Sequence, residues 1–267
     1  MVAPAGSLQP PTWPSLIAPG QAVYDVQLLQ ELRGRALMRD LQVLCVVGAH
    51  RFDELRLINR LFPALRLILL FEPQPGPAQV LRKLAEQDPR IRVFEMAVSD
   101  SDGKALLNVT SNDGESSSLL SLGLHRDLFP EVTVQGTLEV RTCRLDTLLS
   151  EQGLPLPDAM IIDVQGAEYR VLKSFGPALL EGLRLIYTEV STQAVYESAG
   201  LLGDVEALLA HRFVNLGFAP IRADVPMHGN AVFVARGDVA RALALTTRER
   251  LRRGFHRLKR RWSARAG

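Results

Sequence analysis

Ile161-Ile162-Asp163-Val164-Gln165-Gly166-Ala167-Glu168 is an apolar run that stops at a carboxylate, turns at a glycine and resumes with a second carboxylate. Apolar residues without alternation are what a strand covered on both faces of a parallel sheet requires. In such sheets ligands bind outside the carboxyl ends of the strands, which puts Asp163 at a crevice. An Asp that only caps the following helix would look the same, so the neighbouring segments decide between the two readings.

Upstream, apolar runs of strand length alternate with helical patterns: 41–47 then 53–61, 65–71 then 77–86, and 91–94 leading into a loop at Ala97-Val98-Ser99-Asp100. This order is the βαβαβ half of a doubly wound α/β sheet. Downstream the rhythm continues, with a helix over 145–150, a strand over 159–163, a helix over 168–174, a strand over 183–189 and a helix over 203–215. Two last strands, near 218–222 and 230–235, predict a terminal antiparallel hairpin. Between the halves, residues 105–110 and 132–140 alternate in polarity around the polar loop Ser111-Asn112-Asp113-Gly114-Glu115-Ser116-Ser117-Ser118. An antiparallel insertion of about 104–142 over one face of the sheet accounts for them.

The organisation that follows is an N-terminal arm and helix (1–40), one α/β domain (41–240) and a tail (241–267). The arm carries Pro4, Pro10, Pro11, Pro14 and Pro19 and lacks the basic and continuously apolar segments of a secretory signal. With 47% hydrophobic residues and a mean hydropathy of +0.07, no apolar run approaches the roughly 20 residues of a membrane span. Cys45 and Cys143, both on expected strands, have no metal or redox spacing and read as buried free thiols of a cytoplasmic protein. The net charge of +2 conceals a division: from Arg248 onward nine Lys or Arg face one Glu, a net of +8, which leaves −6 for residues 1–247. An acidic body does not suit a broad nucleic-acid surface, and no nucleic-acid partner is expected.

The strand ends carry the candidate chemistry. After the first strand comes Val47-Gly48-Ala49-His50, where a small residue admits close backbone approach and N–H groups before a helix suit an anion. After the second comes Phe71-Glu72-Pro73-Gln74-Pro75, which places an acid where nucleoside-binding folds hold an acceptor for ribose hydroxyls. A surface Glu held between prolines is the alternative. Added to these are Ala97-Val98-Ser99-Asp100 with Gly103, Ser116-Ser117-Ser118-Leu119, Leu145-Asp146, the Asp163 to Glu168 stretch, Glu189-Val190-Ser191 with Tyr196, Gly217-Phe218 and Asn230-Ala231-Val232-Phe233-Val234.

In that order and spacing the segments resemble the FkbM-type methyltransferases, class I enzymes that use S-adenosylmethionine (SAM), from about residue 43 to 234. The resemblance implies a Rossmann-like seven-stranded sheet, mostly parallel with the last strand antiparallel, and SAM across the carboxyl ends of its first strands. It implies that Gly48, Ala49 and His50 approach the methionine part, that Glu72 takes the ribose hydroxyls with Pro73 also at the cofactor, that Met96 and Ala97 border the adenine and that Asp163 faces the methyl group. Two positions depart from the pattern: Val46 stands where the family has an acid, and Phe52 where it has a further glycine beside the cofactor.

Methyl transfer is an in-line displacement that rewards alignment, and a hydroxyl nucleophile also gains from a base. Asp163 is the first candidate for orienting or deprotonating the acceptor. Glu189 ends the next strand and is expected at the same crevice, with a structural ion pair as its alternative. His228, before Gly229-Asn230, is expected in a turn near the substrate mouth. Glu168 suits the dipole of the helix it opens, and the serine loop either closes over the cleft or is a polar turn. Asp163, Glu189 and His228 could ligate a metal, but none is expected to be needed.

In the tail, Leu251, Phe255, Leu258 and Trp262 recur at helical spacing among arginines and lysines, a pattern suited to an anionic membrane surface or to docking on this chain or a homodimer mate, with nucleic acid a third and lesser option. The reading is a cytoplasmic SAM-dependent O-methyltransferase, peripheral to the inner face of a membrane if the tail binds lipid, acting on a hydroxyl of a sugar, glycolipid, polysaccharide or glycosylated natural product. The alternatives are N- or carboxyl methylation on the same scaffold, or a binding subunit with an eroded cofactor loop.

Overall fold

A computed structural model describes Leu32 and residues 35–245. The proline-rich arm and the aromatic stripe of the tail lie outside the described residues.

Strands β1 (Val43–Val47), β2 (Leu67–Phe71), β3 (Ile91–Phe94), β7 (Ala159–Ile162) and β8 (Leu185–Ser191) run parallel, joined by β9 (Phe213–Arg222) and β10 (Val225–Ala235) in a seven-stranded sheet of order β3-β2-β1-β7-β8-β10-β9. β10 pairs antiparallel with both neighbours, so the last strand is the reversed one. The reason for the unalternating apolar runs is visible in the packing. Leu44, Val46, Ile68, Leu70, Ala159, Leu185, Val232 and Val234 enter one core layer, while Cys45, Val47, Leu69, Phe71, Met160, Ile162, Ile186 and Phe233 enter the other. Helices α1 (Leu55–Leu61) and α2 (Pro75–Gln87) cover the first layer. Helices α4 (Leu145–Glu151), α5 (Glu168–Lys173), α6 (Pro177–Gly182) and α7 (Leu202–Leu209) cover the second. Both cysteine thiols are buried and free, and burial pushes each up, Cys143 to about 12.

The insertion is a separate three-stranded sheet, β4 (Ala97–Val98), β6 (Val134–Cys143) and β5 (Gly103–Thr110), with β5 antiparallel to β6. It carries the one-turn helix α3 (His125–Leu128). Ala97-Val98 is therefore a short strand rather than a loop, because its backbone pairs with Thr142 and Cys143. The helix expected over 203–215 ends at Leu209, since Phe213 and Val214 turn alternately into the two core layers, which is strand behaviour.

Candidate active site

The parallel strands end on one edge, and the turns that follow them define a cleft. Phe71 and Met96 from the sheet side and Val98, Leu107 and Leu119 from the insertion give it apolar side chains. Of the residues expected around a cofactor, Gly48, His50, Glu72, Pro73, Met96, Ala97 and Asp163 line it. Ala49 does not: it turns into the first core layer.

The turn after β1 is tied to both neighbouring strands. Gly48 and Ala49 N–H donate to the Phe71 carbonyl at 3.0 Å each, and Asp163 N–H donates to the Val47 carbonyl at 3.0 Å. A Cβ on Gly48, whose φ is +80°, would lie 1.7 Å from the Asp163 carbonyl oxygen. Glycine is thus demanded by the crossing of two strand ends. Phe52 also holds a left-handed φ of +53°, but its ring is buried in the same core layer as Val46 and is absent from the cleft wall. The bulky residue expected beside the cofactor faces the interior.

Glu72 is 3% exposed, and each carboxylate oxygen accepts one backbone N–H, from His50 and from Gln74, at 2.8 Å. Burial pushes its carboxyl above the usual range, and those N–H bonds pull against the rise. A carboxylate oxygen has more than one lone pair, so both retain capacity for hydroxyls. The serine loop is fastened across this end: His50 Nε2 lies 3.1 Å from the Asp113 carbonyl, Arg51 pairs with Asp113, Gln74 Nε2 donates to the Gly114 carbonyl at 3.0 Å, and Ser117 Oγ donates to Gln74 Oε1 at 3.3 Å.

The turn after β7 presents Asp163 and Gln165 to the cleft. Gln165 Nε2 donates to Asp163 Oδ1 at 2.7 Å and to Glu189 Oε2 at 3.2 Å. Glu189 is 3% exposed and stands behind Gln165 rather than on the cleft wall, contrary to its expected place at the crevice. His228 is corrected more strongly: it lies inside β10, equally buried, opposite Ser191, with Nε2 3.1 Å from Glu189 Oε1 and Nδ1 2.8 Å from Ser191 Oγ. Glu168 folds back so that one oxygen accepts the Val164 and Gly166 N–H groups at 3.0 and 3.1 Å, closing the turn at the start of α5. Burial pushes its carboxyl up. Oxygens of Asp163, Glu168 and Glu189 fall within 4.8 Å of one another, a hard donor set into which Gln165 directs its amide. Tyr196, fully buried, donates to Gln165 Oε1 at 2.6 Å, and burial with the charges of Glu189, Glu168 and Asp163 raises its phenol well above the usual value. Gln165, Tyr196 and Gln74 appear in the motifs, but the sequence carries no signal that Tyr196 holds Gln165 or that Gln74 holds the serine loop.

A doubly wound sheet with a reversed last strand, an acid after β2 and a second acid after β7 on one cleft define the Rossmann-like class I methyltransferase fold. A solved methyltransferase FkbM from Methylobacillus flagellatus KT shares it, with a TM-score of 0.50 and 14% identity over 73% of this chain and 44% of that one. Residues 47–218 match the methyltransferase FkbM domain model, and the chain belongs to that family. A curated relative, the 2-O-methyltransferase NoeI of Sinorhizobium fredii (strain NBRC 101917 / NGR234), is 34% identical over 161 residues, 58% of this chain and 65% of its own length. The chain thus spans just under two thirds of that relative.

Proposed function

We propose that this protein is a SAM-dependent O-methyltransferase acting on a hydroxyl of a sugar or glycosylated molecule. The observation that carries the reading is Glu72, buried with each oxygen held by a single backbone N–H on the same cleft as Asp163. Glu72 would receive the two ribose hydroxyls, Phe71, Met96, Val98 and Leu107 would flank the adenine, and the Gly48 turn would take the methionine part. The residues present fit SAM because one end of the cleft offers a fixed bidentate acceptor beside the apolar side chains of Phe71, Met96, Val98 and Leu107. When bound, SAM supplies a methyl group activated by a sulfonium.

Asp163 would orient the acceptor hydroxyl and take its proton, a role worth roughly 10²- to 10⁴-fold. Glu189, with His228 and Ser191 behind it, backs Asp163 through Gln165. An oxygen nucleophile is supported by the relative's designation as a 2-O-methyltransferase. A hydroxyl-bearing acceptor is supported by the polar side chains of Glu115 and Gln165 on the cleft wall with Asp163.

Isothermal titration with SAM and with its demethylated product S-adenosylhomocysteine (SAH) tests the reading. Glu72→Ala is expected to weaken both by roughly 10- to 100-fold, the worth of charged hydrogen bonds. No heat from either ligand with the wild type overturns it. The acceptor is then sought by the 14-dalton gain of a methylated product.

A further inference from the structure

Gln165 occupies the left-handed region at φ +57°, which a residue with a side chain holds only where its surroundings fix it. Here they do so from three directions. Its carbonyl accepts Ser118 Oγ at 2.6 Å, its side-chain oxygen accepts the Tyr196 hydroxyl at 2.6 Å, and its Nε2 donates to Asp163 and Glu189. Tyr196 reaches it only because Gly166 has no side chain, since a Cβ there would lie 2.6 Å from the Tyr196 ring.

The chemistry of the amide gives this arrangement a direction. A carboxamide has one oxygen that accepts and one nitrogen with two hydrogens to give. Turned over, it would set its oxygen 2.7 Å from the Asp163 carboxylate, acceptor against acceptor, whereas the Tyr196 hydroxyl could accept from the NH₂ as well as donate to the oxygen. The Asp163 and Glu189 carboxylates, which only accept, therefore select the orientation in which the nitrogen faces the acids, and the Tyr196 hydroxyl holds it there by donating to the oxygen. Acids this close resist joint ionisation unless a donor lies between them. Glu168 spends one oxygen on two backbone N–H groups, and the Gln165 nitrogen is the donor shared by the other two acids.

We propose that Gln165 is the positioning residue of the acceptor side: locked by Tyr196, it bridges Asp163 on the cleft wall to the buried Glu189–His228–Ser191 chain and holds Asp163 in its working position. The inference rests on the reading of Asp163 as the acceptor-side acid. Gln165 acts through that acid and leaves the cofactor end, formed by Gly48 and Glu72, untouched.

Two measurements test it, and one needs no acceptor. In the first, methyl transfer from SAM to methyl pyranosides bearing a free 2-hydroxyl is followed by mass for the wild type, Gln165→Met and Tyr196→Phe. Gln165→Met, which keeps the length and loses the donors, is expected to bind SAH within about 3-fold of wild type and to lose roughly 100-fold in kcat, with the acid limb of its kcat–pH profile moved to higher pH. Tyr196→Phe should fall about 10-fold and shift the same way. In the second, the side-chain amide signals of Gln165 are assigned by their loss in Gln165→Met in ¹⁵N-labelled protein. They are expected to be displaced by Asp163→Asn and by Glu189→Gln separately.

Amide signals indifferent to both substitutions, or wild-type kcat and pH profile in folded Gln165→Met, overturn the inference. Absence of SAH binding or of methyl transfer in the wild type would instead sink the proposed function. The amide signals would still decide whether Gln165 holds the acid pair.

Discussion

Two residues of the first turn show how position decides what a side chain costs. Gly48 looked like a site for ligand approach, yet its missing Cβ is claimed by the Asp163 carbonyl at 1.7 Å and by a φ of +80°. Gly48→Ala must push β1 and β7 apart where they frame the cleft, at about 2–4 kcal/mol for strain and overpacking together. Urea unfolding is expected to show that loss, and titration should show SAH binding lost with it; an unchanged midpoint would mean the strand ends separate freely. Phe52 behaves in the opposite way. Its left-handed backbone is strained, but its buried ring contributes apolar packing alongside Val46, where the family pattern has a glycine and an acid. Phe52→Ala keeps the strain and removes the ring, for an expected loss of about 3–5 kcal/mol by urea unfolding. SAH affinity should stay within about 3-fold, because the ring does not touch the cleft; a larger fall would mean the loop's packing sets the cofactor end.

Between elements, the insertion loop 111–118 meets the cleft through side chains of the two turns it crosses, His50, Arg51 and Gln74. Gln74 is the hinge of that contact, donating to Gly114 and accepting from Ser117. At about 0.5–1.5 kcal/mol per hydrogen bond, Gln74→Ala should weaken SAH roughly 3- to 10-fold and open residues 111–118 to limited proteolysis. Cleavage no faster than in wild type would show that the loop is held by its own turns. The strands of the sheet were legible because burial on both faces leaves unalternating apolar runs, and the acids at their ends stand out against them. In the sequence His228 has the look of a turn residue because Gly229 follows it. That glycine serves a strand crossing instead: a Cβ would lie 2.2 Å from the Ala219 carbonyl of β9. The Gln165–Tyr196 contact spans 31 residues and depends on a left-handed backbone and on Gly166, and no local pattern encodes that combination. The helical pattern runs past the end of α7 for a related reason, since apolar residues at 213, 214 and 216 fit a helix as well as a strand until the sheet claims them.

Across the whole molecule, His125 joins the insertion to the sheet domain at the acceptor side. Its backbone N–H donates to the Val195 carbonyl at 2.9 Å, and its ring packs on Tyr196 and Phe129 with centroids 5.2 and 4.7 Å away. Among the described residues its Nδ1 has no hydrogen-bond partner. Burial first, and the nearby His228 second, lower its pKa from 6.5 to about 4, while Glu131 pulls the other way. Between those values the unfolded chain takes up a proton that the native ring refuses, so stability falls as pH drops below about 6.5, and this contribution is fully lost below about 4. Glu72 and Glu168 act with the opposite sign, because burial raises their pKa values and protonation on acidification favours the native state. The difference between wild type and His125→Phe isolates the histidine, since the variant keeps an aromatic ring and has nothing to titrate there. Urea midpoints at pH 7 and 4.5 are expected to differ more for the wild type than for the variant. Equal differences would mean that the His125 ring is protonated without disturbing its contacts with Tyr196 and Phe129. In that event the junction between insertion and sheet would tolerate a charge beside the Gln165 network.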